Sequence, residues 1–250
     1  MSIYDQPAKV LMREFADKML VHGQTFTNRD AVEWFSENYP KLKSNTVTMH
    51  CDGMSINSSN RKHHPSIKHG SNHDLFFKLG GGAYRLWDPE TDPAPKYKED
   101  YENSASEIAD EVMEGDDVIA SSEFGAEKDL QSYLSKNLSA LENGLRLYED
   151  EGLTGIEYPV GGRFIDILAV DADDNFVVIE LKVSKAYDRV VGQLLRYMGW
   201  VEKNISEGKT VRGWIIGREI SEDLKLATER VPDISLFEYE ISFKVSPCQN

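Results

Sequence analysis

The sequence predicts two folded units: an α+β unit of three helices and a hairpin, then an α/β sandwich around a central mixed sheet. Three observations carry this. Apolar residues recur at helical spacing through the first fifty residues, and a Gly80-Gly81-Gly82 turn separates two short apolar runs. Beyond residue 124, helical patterns alternate with the strand-like runs Phe164–Val170, Phe176–Val183 and Val211–Gly217. Between the units lies a strongly acidic stretch.

The first helix is expected over Pro7–Leu20, where Val10, Leu11, Phe15, Met19 and Leu20 follow the helical period. Thr27 followed by Asp30 reads as an N-terminal cap for a second helix that stops before Pro40. A third helix begins after Ser44 and takes in Val47 and Met49. Leu75–Leu79 and Ala83–Trp87 then pair as a hairpin. This order resembles winged helix-turn-helix domains over residues 5–88, which gives a domain at 1–98. The resemblance rests on element order alone. In such domains the third helix enters the major groove, so Lys43, Asn45 and Thr46 at its start, and Arg61 and Lys62 after it, are candidate DNA-binding residues. The same composition also suits an ordinary loop, or a surface that binds a protein partner.

The net charge of −15 is unevenly placed. Residues 1–98 balance at +2, 99–130 at −11 and 131–250 at −6. Local sign governs attraction to phosphate, so the total does not exclude a nucleic-acid partner. Residues 99–123 read as an acidic linker, or as a strip that competes with DNA for a basic surface, and Ile108, Val112 and Ile119 admit a short helix there. No run approaches 18 apolar residues, and the N-terminus has no apolar signal region, so no membrane association is expected. Cys51 and Cys248 are too far apart in sequence for a zinc knuckle, and a reducing cytoplasm suits them. The six histidines all precede residue 74, in an order that matches no zinc pattern. Histidine-based hydrolysis is therefore excluded from the second unit by composition.

The second unit, 124–250, carries the chemistry. A helix following Gly125 places Glu127 near its start, where a carboxylate can cap the helix or complete a metal site. Two strands follow. Asp166 lies in the first, Glu180 and Lys182 in the second, and the alternation of side chains puts Glu180 and Lys182 on one face. A hairpin would gather all three. Two carboxylates can hold a divalent cation, and an ammonium beside them can orient or deprotonate a water. The next helix, about Asp188–Lys203, presents Arg189, Gln193, Arg196 and Trp200 as one stripe, read either as solvated arginines or as a phosphate-binding face. A strand at 211–217, a helix from Ser221 and a strand region at 234–245 complete the order.

Four motifs in this order resemble the NucS/EndoMS endonucleases, a branch of the PD-(D/E)XK nucleases, over residues 125–245. They are Glu127-Lys128-Asp129-Leu130, Tyr158 through Ala169, Val178-Ile179-Glu180-Leu181-Lys182, and Gly192 through Trp200. The resemblance implies a restriction-endonuclease-like sandwich and DNA as substrate. It also implies Asp166 and Glu180 as ligands of Mg²⁺, with Mn²⁺ as an alternative, and Lys182 as catalytic support. Glu127 and Gln193 would contribute to catalysis, and Arg163 and Tyr197 match positions suited to the substrate strand. Ile165 stands where the superfamily pattern has proline. The first unit does not resemble the β-rich dimerisation domain of those enzymes, so mismatch recognition and their dimer are not implied. The expectation is a restriction-like, metal-dependent DNA endonuclease, acting as a homodimer if both strands are cut. Two alternatives remain: a DNA-binding, regulatory or defence protein whose nuclease fold is idle alone, and a nuclease recruited by a protein partner through its first unit.

Overall fold

A computed structural model describes residues 3–64, 66–97, 100, 127–160 and 163–241. The acidic segment 99–123, including its candidate short helix, thus lies outside the described residues apart from Asp100, and so does the expected strand region beyond Ile241.

The N-terminal unit comprises α1 (Ala8–Met19), β1 (Thr25–Thr27), α2 (Asn28–Asn38), α3 (Ser44–Gly53), a 3₁₀ turn (Ser59–His63), β2 (Phe76–Gly80) and β3 (Ala83–Leu86). Thr27 and Asp30 form the expected reciprocal cap, each side chain taking the other's backbone amide. The strand β1 was not expected. Three residues are too few to show alternation, yet it pairs with β3 to give an antiparallel sheet in the order β1-β3-β2. Phe15, Phe26, Phe35, Phe76 and Tyr84 are buried together with Trp34 in the core beneath that sheet.

In the C-terminal unit the helices are α4 (127–136), α5 (Leu138–Leu141), α6 (Arg189–Asn204) and α7 (Glu222–Thr228). The strands are β4 (Arg146–Leu147), β5 (Glu149–Asp150), β6 (Leu153–Thr154), β7 (Ile156–Val160), β8 (Arg163–Val170), β9 (Phe176–Ala186), β10 (Val211–Ile220) and β11 (Ile234–Glu238). They build an α/β fold on a mixed sheet, order β11-β10-β9-β8-β4, with β7 pairing the start of β8. The β8–β9 pair is antiparallel; β9–β10 and β10–β11 are parallel, each crossover supplied by a helix. Val178, Leu194, Tyr197, Met198 and Val201 belong to the core on the α6 face, whereas Leu130, Leu134, Val177, Ile179 and Leu181 belong to the one on the α4 face. Burial on both faces explains why the first six residues of β9, Phe176–Leu181, read as an apolar run broken only by Glu180. No helix among the described residues is long and apolar enough to cross a membrane.

Between β6 and β7 the chain passes so close to β8 that a Cβ on Gly155 would stand 1.9 Å from the Leu168 carbonyl oxygen. Gly155 also accepts from the Leu168 amide at 2.6 Å, which ties the segment to the middle of β8. Replacing Gly155 with alanine is expected to destabilise the fold by roughly 1–3 kcal/mol, since the obstacle is backbone that cannot rotate away. The shift of the urea midpoint at constant slope measures it.

Candidate active site

The register of β8 and β9 builds the site. Ile167 pairs with Ile179 and the pairing ends there, so one further step would set Asp166 opposite Glu180. Where the strands part, a carboxylate replaces the backbone partner: the Leu181 amide donates to Asp166 Oδ2 at 2.7 Å. The Asp166 carbonyl accepts from Gln131 Nε2 at 2.8 Å, which fastens α4 to the same point. Sequence reasoning missed Gln131, although it lies one helical turn beyond Glu127 and so on the same face.

Glu180 is 1% exposed. Its Oε1 accepts from Lys182 Nζ at 2.7 Å and from Gln193 Nε2 at 2.7 Å. Its Oε2 is buried and has no hydrogen-bond partner among the described residues. Lys182 Nζ also donates to the Leu181 carbonyl at 2.8 Å and stands 3.7 Å from Glu127 Oε1. Gln193 donates in turn to the Tyr197 hydroxyl at 3.3 Å. Asp166, Glu180, Lys182, Glu127 and Gln193 therefore meet in one cluster, carried by β8, β9, α4 and α6.

The electrostatics follow from this crowding. Burial, and then the charge of Glu180, push the Asp166 carboxyl up to about 8, against the smaller opposing effects of the Leu181 amide and Lys182. Burial likewise raises Glu180, partly offset by Lys182. Burial alone would lower Lys182, but Glu180 and then Asp166 and Glu127 outweigh it and hold the ammonium above its ordinary range. Among the described residues, no group of three or more acid, histidine or cysteine side chains is arranged to hold a metal. The donor set is instead a carboxylate pair, which suits Mg²⁺, an ion bound by one or two carboxylates together with waters and substrate phosphate. The Glu180 Oε2, which no described residue bonds, is an oxygen donor of the kind such a cation takes.

The residues expected to touch DNA fall into different places. Arg163 is exposed at the start of β8. Arg189 and Arg196 are exposed on α6, over the Tyr187 and Tyr197 rings at 5.8 and 5.5 Å, and the charge of Arg196 reaches Glu180. Tyr197 is 3% exposed, so it supports Gln193 rather than a substrate strand. The placement of Arg61 corrects the expected DNA contact. It is 1% exposed, donates to the Lys96 carbonyl at 2.7 Å, pairs with Asp74 and lies 5.0 Å from the Tyr97 ring centroid. The Lys62 side chain lies outside the described part. Lys43, Asn45 and Thr46 are engaged within the chain: Lys43 with Glu207 at 3.1 Å, Asn45 with the Tyr158 hydroxyl at 3.1 Å, and Thr46 with Asp150.

Residues 126–240 match the model of the endonuclease NucS C-terminal domain. The C-terminal half is a domain of the NucS type. Residues 7–86 match a model described only as a domain of unknown function, DUF7669. Among curated relatives, endonuclease NucS 2 of Halobacterium salinarum is 36% identical over 110 residues, 44% of this chain and 40% of that protein. Endonuclease NucS of Pyrococcus abyssi is 29% identical over 107 residues, 42% of this chain and 39% of that protein. The chain thus spans about two fifths of the length of the NucS proteins it matches. A repair endonuclease from Pyrococcus abyssi aligns with 46% of each chain at 26% identity and a TM-score of 0.39. An EndoMS–double-stranded DNA complex aligns at 23% identity with a TM-score of 0.40, over 47% of this chain and 46% of that one.

The raised carboxyls set a pH dependence. The folded state holds the Asp166 proton more tightly than the unfolded chain does, so the metal-free protein is expected to lose stability as pH rises from about 4 towards 8. A cation held by Asp166 would displace that proton. The rise in melting temperature on adding Mg²⁺ should therefore be larger at about pH 8.5 than at about pH 6, and thermal melts at the two pH values check it.

Proposed function

We propose that this chain is a metal-dependent DNA endonuclease, with a PD-(D/E)XK-type sandwich as its cutting half and a winged-helix-like N-terminal unit that chooses the target. The domains would be 1–98 and 124–250, joined by the acidic segment 99–123. The observation that carries the reading is the buried Glu180 carboxylate, which takes Lys182 and Gln193 on one oxygen and leaves the other without a partner beside Asp166. The similarity of residues 126–240 to the NucS C-terminal domain supports DNA as the substrate.

Asp166 and Glu180 would hold Mg²⁺ or Mn²⁺. When bound there, the cation would offset phosphate charge and lower the pKa of a coordinated water. Lys182, kept protonated by its acidic neighbours, would donate to the attacking water and orient it rather than act as its base. Gln193 would fix the Glu180 carboxylate, with Tyr197 holding Gln193 in turn. Exposed Arg163, Arg189 and Arg196 would meet the phosphate backbone. Attack at phosphorus would break one P–O bond and leave a phosphate end and a hydroxyl end. Cutting both strands would need two such sites, hence a homodimer or successive nicks. The buried free thiol of Cys51 suits a reducing cytoplasm.

The test is cleavage of a panel of plain, mismatched, modified and branched duplexes with Mg²⁺, with Mn²⁺ and with chelator. Asp166→Ala is expected to abolish cleavage, and Lys182→Ala to slow it by about 10²–10⁴ with the fold intact by circular dichroism. Unchanged cleavage in both variants would overturn the assignment.

A further inference from the structure

In a winged-helix unit the third helix is the one that reads a groove, yet here α3 is turned onto the C-terminal half. Thr46 and Met49 are 1% and 6% exposed, and Met49 belongs to the core that holds Tyr148, Leu153 and Tyr158. The polar groups at the start of the helix are used in the same contact. Lys43 pairs with Glu207 and reaches the Ile205 carbonyl at 3.4 Å, Asn45 donates to Tyr158, and Thr46 bonds Asp150. Next to them the backbone amides of Ile3 and Ala8 both donate to Glu151, at 2.5 and 3.3 Å. Side chains spent in this way are not offered to base edges.

The seat of the helix adjoins the catalytic strands. Tyr158 is fully buried and pairs with Ile165, the residue before Asp166. Glu157, just ahead of it, has a φ of +46°, a left-handed conformation that is strained for a residue with a side chain. Tyr158 itself keeps the antiparallel register of β7 with β8, and its hydroxyl takes a hydrogen bond from Asn45. The Tyr158 ring also meets Trp200 at 6.4 Å, on the helix that carries Gln193 and Tyr197.

We propose that α3 is an intramolecular docking helix rather than a groove reader, and that Asn45, acting through Tyr158, is a positioning residue for the β7–β8 hairpin that carries Asp166. The docking stands independently of any activity, whereas the catalytic consequence rests on the nuclease reading above.

Zero-length carbodiimide cross-linking of the full chain, read by mass spectrometry, tests the docking. A Lys43–Glu207 link is expected alongside the Lys185–Glu219 control, whose partners are also in contact. The control without the Lys43–Glu207 link would overturn the docking. Positioning is tested by Asn45→Ala, Tyr158→Phe and the double variant. Asn45→Ala is expected to lower kcat about two- to tenfold with KM unchanged, the loss of one hydrogen bond. The double variant should be no slower than Tyr158→Phe alone. A raised KM for DNA with kcat intact would mark α3 as a reading helix and overturn the proposal. If the wild-type protein cleaves nothing, the nuclease reading fails while hydrogen exchange still decides the positioning. Asn45→Ala should speed exchange across residues 156–160 and 163–168 and leave β10 unchanged; no local change would overturn it.

Discussion

Two carboxylates, Glu180 buried and Asp166 half-buried, set side by side where β8 and β9 cease to pair, are the constraint on which the rest of the C-terminal half depends. Neither carboxyl ionises there as readily as in water: burial raises both above their ordinary range, and at Asp166 the charge of Glu180 adds to it. Each surrounding element supplies a partial remedy. The β9 backbone gives Asp166 one amide, α4 clamps its carbonyl through Gln131, β9 returns Lys182, and α6 brings Gln193. One carboxylate oxygen is left over. A fold selected for stability alone would replace such a pair with apolar residues; acids kept in this setting mark a functional site.

Much of this cluster was legible in the sequence because its residues are bound to regular periods. Glu180 and Lys182 are two apart in a strand, so they had to share a face, and Gln193 follows from the period of a helix whose apolar residues fix its buried side. The hairpin joining Asp166 to Glu180 needed only a polar turn between two apolar runs. The cap at Thr27 was equally local. Gln131 escaped notice because its partner is a backbone carbonyl, which no side-chain pattern announces.

The N-terminal unit shows the opposite case. Lys43, Asn45, Thr46 and Arg61 have the composition of a DNA-reading surface, and nothing nearby in sequence contradicts it. Their partners, Glu207, Tyr158, Asp150 and Asp74, lie between 13 and 164 residues away. A polar side chain's exposure is set by such distant groups, and local pattern does not encode them. The element order was readable; the direction in which the third helix faces was not. The consequence is a different division of labour, in which the N-terminal unit is seated on the sheet that carries the acids and any contact it makes with a target leaves from another of its surfaces.

The central claim is that Asp166 and Glu180 form a cation site and that the Asp166 proton is displaced on binding. Calorimetric titration of Mn²⁺ into the full chain, repeated at neutral pH in two buffers of different ionisation enthalpy, measures it directly. The account predicts saturable binding with release of about one proton, and loss of that binding in Asp166→Asn. Binding that persists unchanged in the variant, or that releases no proton, would contradict it.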